Sequence, residues 1–204
     1  VKYFRQISAC VAVRPFLSEL AVVSRSWPAA LPRREAAVGH NTTTVIALRR
    51  AYTSVVANRP RSDVHESRWT ECAQKFRYTS NFLRTFAAER GLELGRARLV
   101  RVPAGHRTQP HVDCGDYFLF RDRYHLVLKA IAGSWLRSGD EDITMREGEL
   151  WWFNNKAAHE GWNPGAEDRI HLVFDALNAD GKRMLDHAAR VRHARDGDAA
   201  TPSL

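Results

Sequence analysis

Lysine is scarce in this chain: of 31 basic residues only five are lysines (Lys2, Lys75, Lys129, Lys156 and Lys182) and the rest are arginines. The arginines are dispersed, and no basic block alternates with aromatics. The formal charge of +8 invites a nucleic-acid reading, but this dispersion argues against one, and the charge equally fits attraction of acidic substrates. Long apolar runs are missing too. None reaches the roughly 18 residues that a membrane helix needs, so no membrane partner is expected. The short apolar stretch from Ile7 to Val13 is cut off by Arg14-Pro15 with no cleavage site after it. It reads as the start of a strand or helix rather than a signal peptide. Cysteine is sparse and unpaired in pattern. Cys10, Cys72 and Cys114 are odd in number and far apart, which excludes a disulfide framework or a thiolate zinc site and makes a reducing cytoplasm the expected setting.

What is present is an ordinary globular composition, 44% hydrophobic and 26% charged over 204 residues, enough for one domain with a real core. Residues 14–26 carry apolar side chains near helical spacing, and Ser26 to Arg34, with two prolines, reads as a loop. His40 to Arg50 holds the β-branched run Thr42-Thr43-Thr44-Val45-Ile46 and reads as a strand. A single helix is expected over residues 71–90, stopped by Gly91. From residue 97 to 176 the texture changes to short strands separated by turn signals, such as Ser138-Gly139-Asp140, Glu147-Gly148 and Asn163-Pro164-Gly165. That spacing indicates an all-β sandwich or barrel. A basic helix follows over about residues 180–195, and residues 196–204 are expected to fray.

Chemistry concentrates in the β region. His111-Val112-Asp113 places an imidazole and a carboxylate on one face of a strand, because residues i and i+2 share a face. His159 lies at the start of a later strand. Two histidines and one carboxylate form the facial triad of non-haem iron(II) sites, which leaves open positions for a co-substrate and O₂. Arg169 opens the next strand. A dicarboxylate that chelates iron at one end needs a cation at the other, and arginine presents the planar fork that grips a carboxylate. Arg123 and His125 form a second i, i+2 pair, which on spacing alone fits a cross-strand polar pair as well as a ligand contact. Trp151 and Trp152 fall on opposite strand faces. Asn154-Asn155 reads as a turn that positions the His159 strand. Cys114 is expected to pack, His106 and His171 to be structural, and Arg49 to mark a solvated strand end.

Four motifs in this order resemble the aspartyl/asparaginyl β-hydroxylase family, which includes certain bacterial proline hydroxylases. They are Pro110-His111-Val112-Asp113, Arg123-Tyr124-His125-Leu126, residues 148–155 (GELWWFNN), and His159-Glu160-Gly161-Trp162 with Arg169-Ile170-His171-Leu172. His40-Asn41-Thr42-Thr43-Thr44-Val45 also resembles the strand before the core in bacterial members. The resemblance implies a mainly β fold, a double-stranded β-helix (jelly roll, cupin-like) with flanking helices. The core would span residues 96–177, with N-terminal helices and a strand (residues 1–95) packed on it and a C-terminal helix and tail (residues 178–204). It implies Fe(II), held by His111, Asp113 and His159, with 2-oxoglutarate and O₂ as co-substrates. Arg169 would bind the distal carboxylate, and Arg123 and His125 would line the co-substrate pocket. The implied reaction is hydroxylation of an amino-acid side chain, free or in a peptide or protein, with release of succinate and CO₂. Asp113 argues against a halogenase, which must free a coordination site for halide. The rival readings are a cupin-like metal-binding protein without oxygenase turnover and, on charge alone, a nucleic-acid demethylase or binder.

Overall fold

Alternation of apolar and polar side chains splits each long strand into two faces, and the two faces build two different environments. In the computed structural model, which describes residues 2–23, 43–52 and 64–198 (side chains to 191), a seven-stranded antiparallel sheet runs β1-β9-β6-β11-β4-β2-β3. Its strands are Phe4–Ser8 (β1), Thr44–Ala51 (β2), Ser67–Trp69 (β3), Glu93–Val102 (β4), Asp122–Lys129 (β6), Leu150–Phe153 (β9) and Arg169–Leu177 (β11). A second sheet runs β5-β10-β7-β8, from Arg107–His111 (β5), His159–Trp162 (β10), Trp135–Ser138 (β7) and Glu141–Ile143 (β8). From β4 onward the chain passes back and forth between the sheets, giving a double-stranded β-helix.

One face of the larger sheet carries Leu99, Leu126, Leu172 and Phe174, which pack with the helices α1 (Arg14–Val23) and α2 (Arg77–Glu89) into the main core. Phe86 meets Phe174 and Tyr124 edge-on at 5.1 and 5.2 Å. The opposite face looks at the smaller sheet, where Phe4, Val127, Leu136, Met145 and Phe153 form a second cluster. Arg123 and His125 of β6 and Arg169, His171 and Asp175 of β11 alternate with the main-core residues and so project between the sheets.

The helix expected over 71–90 divides. A 3₁₀ turn spans Glu71–Lys75, and α2 begins after Phe76, whose φ of −120° and ψ of 57° leave helical geometry while its ring is fully buried. No side chain of α2's own N-terminus caps it. Glu19 of α1 does so instead, accepting the Tyr78 and Thr79 amides at 2.5 and 3.0 Å and the Thr79 hydroxyl at 2.7 Å. A carboxylate there also offsets the positive end of the helix dipole. α1 begins at Arg14 and β2 ends at Ala51, both near expectation; the β region opens earlier than residue 97, with β4 starting at Glu93, and closes with β11 at Leu177 before a final helix, α4 (Ala179–Asp198). The expected loop over 26–34, residues 40–42 and residues 199–204 of the expected tail lie outside the described residues, while residues 196–198, expected to fray, complete α4. The expected turns at Ser138-Gly139-Asp140 and Glu147-Gly148 are present, with Gly139 and Gly148 at φ of 59° and 81°, where glycine carries no steric cost.

Candidate metal centre

His111 ends β5 and His159 begins β10, and the two are direct cross-strand partners. Their ring centroids are 4.2 Å apart. Each ring is oriented by the same device: the Nδ1–H of His111 donates to the Gln109 carbonyl at 2.8 Å, and that of His159 donates to the Ala157 carbonyl at 3.0 Å. A carbonyl partner requires the proton on Nδ1 and turns the Nε2 lone pair toward the space between the strands.

Asp113 joins them, but not by strand alternation. β5 stops at His111, and Asp113 lies beyond it in the connection to α3 (Asp116–Leu119), between the exposed Val112 and Cys114. The expectation that Asp113 shares a strand face with His111 is thus corrected. Its amide donates to the Asn155 carbonyl at 3.2 Å, and its Oδ2 lies 3.9 Å from His159 Nε2. One ligand atom from each of the three residues falls within 4.8 Å of the other two. Burial acts to raise the Asp113 carboxyl, but the nearby Arg123, His159 and Arg98 outweigh it and hold it at about 2. Burial lowers His159 to about 4 despite Asp113. At neutral pH Asp113 is therefore an ionised carboxylate and His159 a neutral imidazole, the forms in which these groups bind metal. The donor set fits a divalent iron.

A pocket between the sheets is bordered at this end by His111 and His159. Val100, Val102, Leu136 and Val173 contribute its apolar walls, and Phe153 meets the His125 and His159 rings edge-on at 4.8 and 5.1 Å. Arg169 lies in the same pocket, 7% exposed, and its guanidinium donates to the Trp135 carbonyl at 3.2 Å. No carboxylate among the described residues pairs with it, and burial alone pulls it down to about 10. Gly161 gives it room: a Cβ there would stand 3.0 Å from Arg169 Nη2. The Thr43 hydroxyl also faces this pocket, buried and without a hydrogen-bond partner. A buried unpaired cation and an orphan donor in one apolar pocket are each costly alone. A carboxylate ligand satisfies both, so the residues present fit an oxo-dicarboxylate. Asn163 anchors the loop leading to Arg169, donating to the carbonyls of Val102, Pro103 and Glu167 at 2.8–3.1 Å.

His125 and Arg123 both border the pocket. His125 Nδ1 lies 3.3 Å from His171 Nδ1, and burial pushes both imidazoles well below their ordinary range. His171, expected to be structural only, is thus a pocket residue. Arg123 is 3% exposed and bonds two carboxylates, Asp113 and Asp175. Asp175, Asn155, Arg98 and Thr108 are polar residues around this site that the sequence motifs did not single out for it, Asp175 being the one with a visible signal. A lone acid inside the apolar run of β11 was the available signal. Trp151 packs in the second cluster and Trp152 against the main core, where its indole donates to Asp122 at 2.9 Å. Neither lines the pocket. Cys114 is exposed rather than packed, because the connection after β5 runs along the surface. Arg49 is no solvated strand end: it donates to the carbonyls of Gly95, Ser67 and Leu94 and stacks on Trp69.

The family model for aspartyl/asparaginyl β-hydroxylases matches residues 57–179, more than half of the chain. The chain belongs to this family. Compared with curated proteins, the sequence has no significant match. Among solved structures the chain is similar to a 2OG-Fe(II) oxygenase family oxidoreductase from Burkholderia pseudomallei, at TM-score 0.58 and 12% identity over 85% of this chain and 84% of that one. A Trichoplax adhaerens prolyl hydroxylase, solved with a peptide fragment of the hypoxia-inducible factor oxygen degradation domain, gives TM-score 0.57 and 11% identity over 90% and 87%. A Pseudomonas putida prolyl-4-hydroxylase gives 0.53 and 16% over 87% and 94%. At these identities the likeness establishes the shared fold. In this chain, that fold puts His111 and His159 on the smaller sheet, Asp113 in the connection just after β5, and the buried Arg169 on the larger sheet.

Proposed function

We propose that this chain is an iron(II)- and 2-oxoglutarate-dependent dioxygenase that hydroxylates a C–H bond of an amino-acid side chain, free or within a peptide or protein. The observation that carries this is a two-histidine, one-carboxylate cluster whose histidines border the same pocket as a buried arginine with no acid partner among the described residues. His111, Asp113 and His159 hold the iron and leave positions open beside it. Arg169 takes the distal carboxylate of 2-oxoglutarate, with the Thr43 hydroxyl beside it, while His125 and Arg123 line the pocket. When bound, the iron with 2-oxoglutarate and O₂ supplies the oxidation, one oxygen atom entering the substrate C–H and the other the keto acid, which leaves as succinate and CO₂.

The chain's own contribution is geometric and electrostatic. The two Nδ1–H bonds hold the imidazoles in the tautomer that offers Nε2. The valine and leucine walls exclude water, which strengthens the ion pair at Arg169. His125 and His171 stay neutral and act as hydrogen-bonding groups without adding charge. Retention of Asp113 favours hydroxylation over halogenation. The Trichoplax neighbour's bound peptide supports a polypeptide as one of the two substrate forms. A reducing, cytoplasmic setting is supported by cysteines that are all free thiols, and no helix of the described residues is long and apolar enough to cross a membrane.

The test is anaerobic addition of Fe(II) and 2-oxoglutarate to metal-free protein. A visible charge-transfer band requiring both additions is expected, followed by succinate formation when O₂ and amino acids or peptides are supplied. Metal binding with no band would leave a cupin-like metal-binding protein and remove the oxygenase reading.

A further inference from the structure

We infer that Asp175, acting through Arg123, is a positioning residue that sets the orientation of the Asp113 carboxylate toward the metal, with Asn155 as the second arm of the same clamp. The inference rests on Asp113 being a metal ligand.

Asp113 needs such a device because nothing regular holds it. It lies past the end of β5, flanked by exposed residues, so no strand ladder fixes its backbone on both sides. Its orientation depends on two donors that converge on one oxygen, Oδ2: the Nη1 of Arg123 and the Nδ2 of Asn155, the latter at 3.1 Å. Asn155 grips twice, since its carbonyl also receives the Asp113 amide. Arg123 is itself immobilised. Its Nε and Nη2 donate to the two oxygens of Asp175 at 2.7 and 3.2 Å, a fork-on-fork pair that fixes the guanidinium plane. Arg123 and Asp175 are direct cross-strand partners on β6 and β11, in the interior of the seven-stranded sheet, and the Phe118 ring lies 5.0 Å from the guanidinium carbon.

Charge bookkeeping points the same way. Arg123 would be neutralised by Asp113 alone; Asp175 adds a second carboxylate to the same guanidinium. Arg123, Asp175 and Asn155 are 1–3% exposed, so water cannot substitute for a lost arm. A buried ion pair that served only the fold would contribute to stability and leave metal affinity alone, which separates the two roles.

The experiment is an anaerobic titration of the metal-free full chain with Co(II) and Fe(II), comparing wild type with Asp175→Asn and Asn155→Ala, with circular dichroism confirming the fold. Outer partners of metal ligands typically control about 10–100-fold in affinity. Asp175→Asn is expected to raise the metal dissociation constant by that factor and to alter the visible Co(II) spectrum. At saturating metal, its affinity for 2-oxoglutarate should stay within about twofold of wild type. On an Asp113→Ala background the same substitution should have no further effect on metal affinity. An unchanged metal affinity in folded Asp175→Asn overturns the inference, as does a loss confined to 2-oxoglutarate binding. If Asp175→Asn does not fold, Asn155→Ala decides, because it strands no charge: metal affinity equal to wild type overturns the clamp. Wild-type protein that binds metal but forms no 2-oxoglutarate band would sink the oxygenase reading while these comparisons still judge the clamp.

Discussion

The guanidinium of Arg169 fills the space that a side chain on Gly161 would need: a Cβ at position 161 would lie 3.0 Å from Arg169 Nη2 and 3.1 Å from Leu136 Cδ1. Gly161→Ala therefore forces the arginine to shift by a few tenths of an ångström. A misplacement of 1 Å in a positioning group can cost about 100-fold. This smaller shift is expected to raise the 2-oxoglutarate KM about tenfold with a nearly unchanged melting temperature. A KM equal to wild type would show that the guanidinium is not the carboxylate's anchor.

Removing the cation should have a larger effect of the same kind. Arg169→Ala deletes one desolvated charge pair, about 2–5 kcal/mol, and should raise the 2-oxoglutarate requirement by about 30-fold or more, with Arg169→Lys between. Thr43→Val, which removes the orphan hydroxyl, should weaken 2-oxoglutarate by a lesser factor of about tenfold, one hydrogen bond to a charged group. Co-substrate titrations monitored by the iron charge-transfer band read all three, and flat titrations across the set would remove Arg169 and Thr43 from the pocket.

Asp113→Ala should cost more than loss of an outer partner, which is about 10–100-fold: succinate formation should fall by at least about 100-fold. The fold should persist, because Arg123 keeps its pair with Asp175. Residual turnover near wild type, measured by succinate release, would refute the ligand assignment.

Stability of the metal-free protein should fall on acidification below neutral pH. His159 is lowered to about 4, and His125 and His171 are lowered well below the ordinary value of 6.5. Below 6.5 the unfolded chain takes up protons that the folded chain refuses, so stability rises with pH through this window and is lost as pH drops toward 4. Each such histidine contributes a slope of at most about 1.4 kcal/mol per pH unit. Asp113, held at about 2, adds a further loss from its unfolded value of 3.8 downward. Urea unfolding at a series of pH values checks the sign; equal stability at about pH 5 and pH 7 would contradict it.

Much of this was legible in the sequence because strand alternation is a local code. The face of β11 that carries Arg169 and His171, and the opposite face with Leu172 and Phe174, can be read from seven consecutive letters. His111, His159 and Arg169 announce themselves by type and order. The pairing of Asp175 with Arg123 does not: 52 residues separate them, and only the sheet register brings them side by side. The same holds for Asn155 and Asp113, 42 residues apart, the latter in a connection that no periodicity describes. The break of the 71–90 helix depends on Glu19, a cap supplied from another helix. Sequence pattern registers what a segment buries, and it is silent on which distant partner a buried polar group meets.

β11 spells two messages interleaved at alternate letters, one for chemistry (Arg169, His171, Asp175) and one for the core (Ile170, Leu172, Phe174). A single-residue insertion or deletion would exchange them wholesale, turning the charged set onto the helices and the apolar set into the pocket. Fold and activity in this protein are therefore lost together by a slip of one position, although point changes can separate them. Evolution can retune this strand letter by letter, but it has no freedom to slide it.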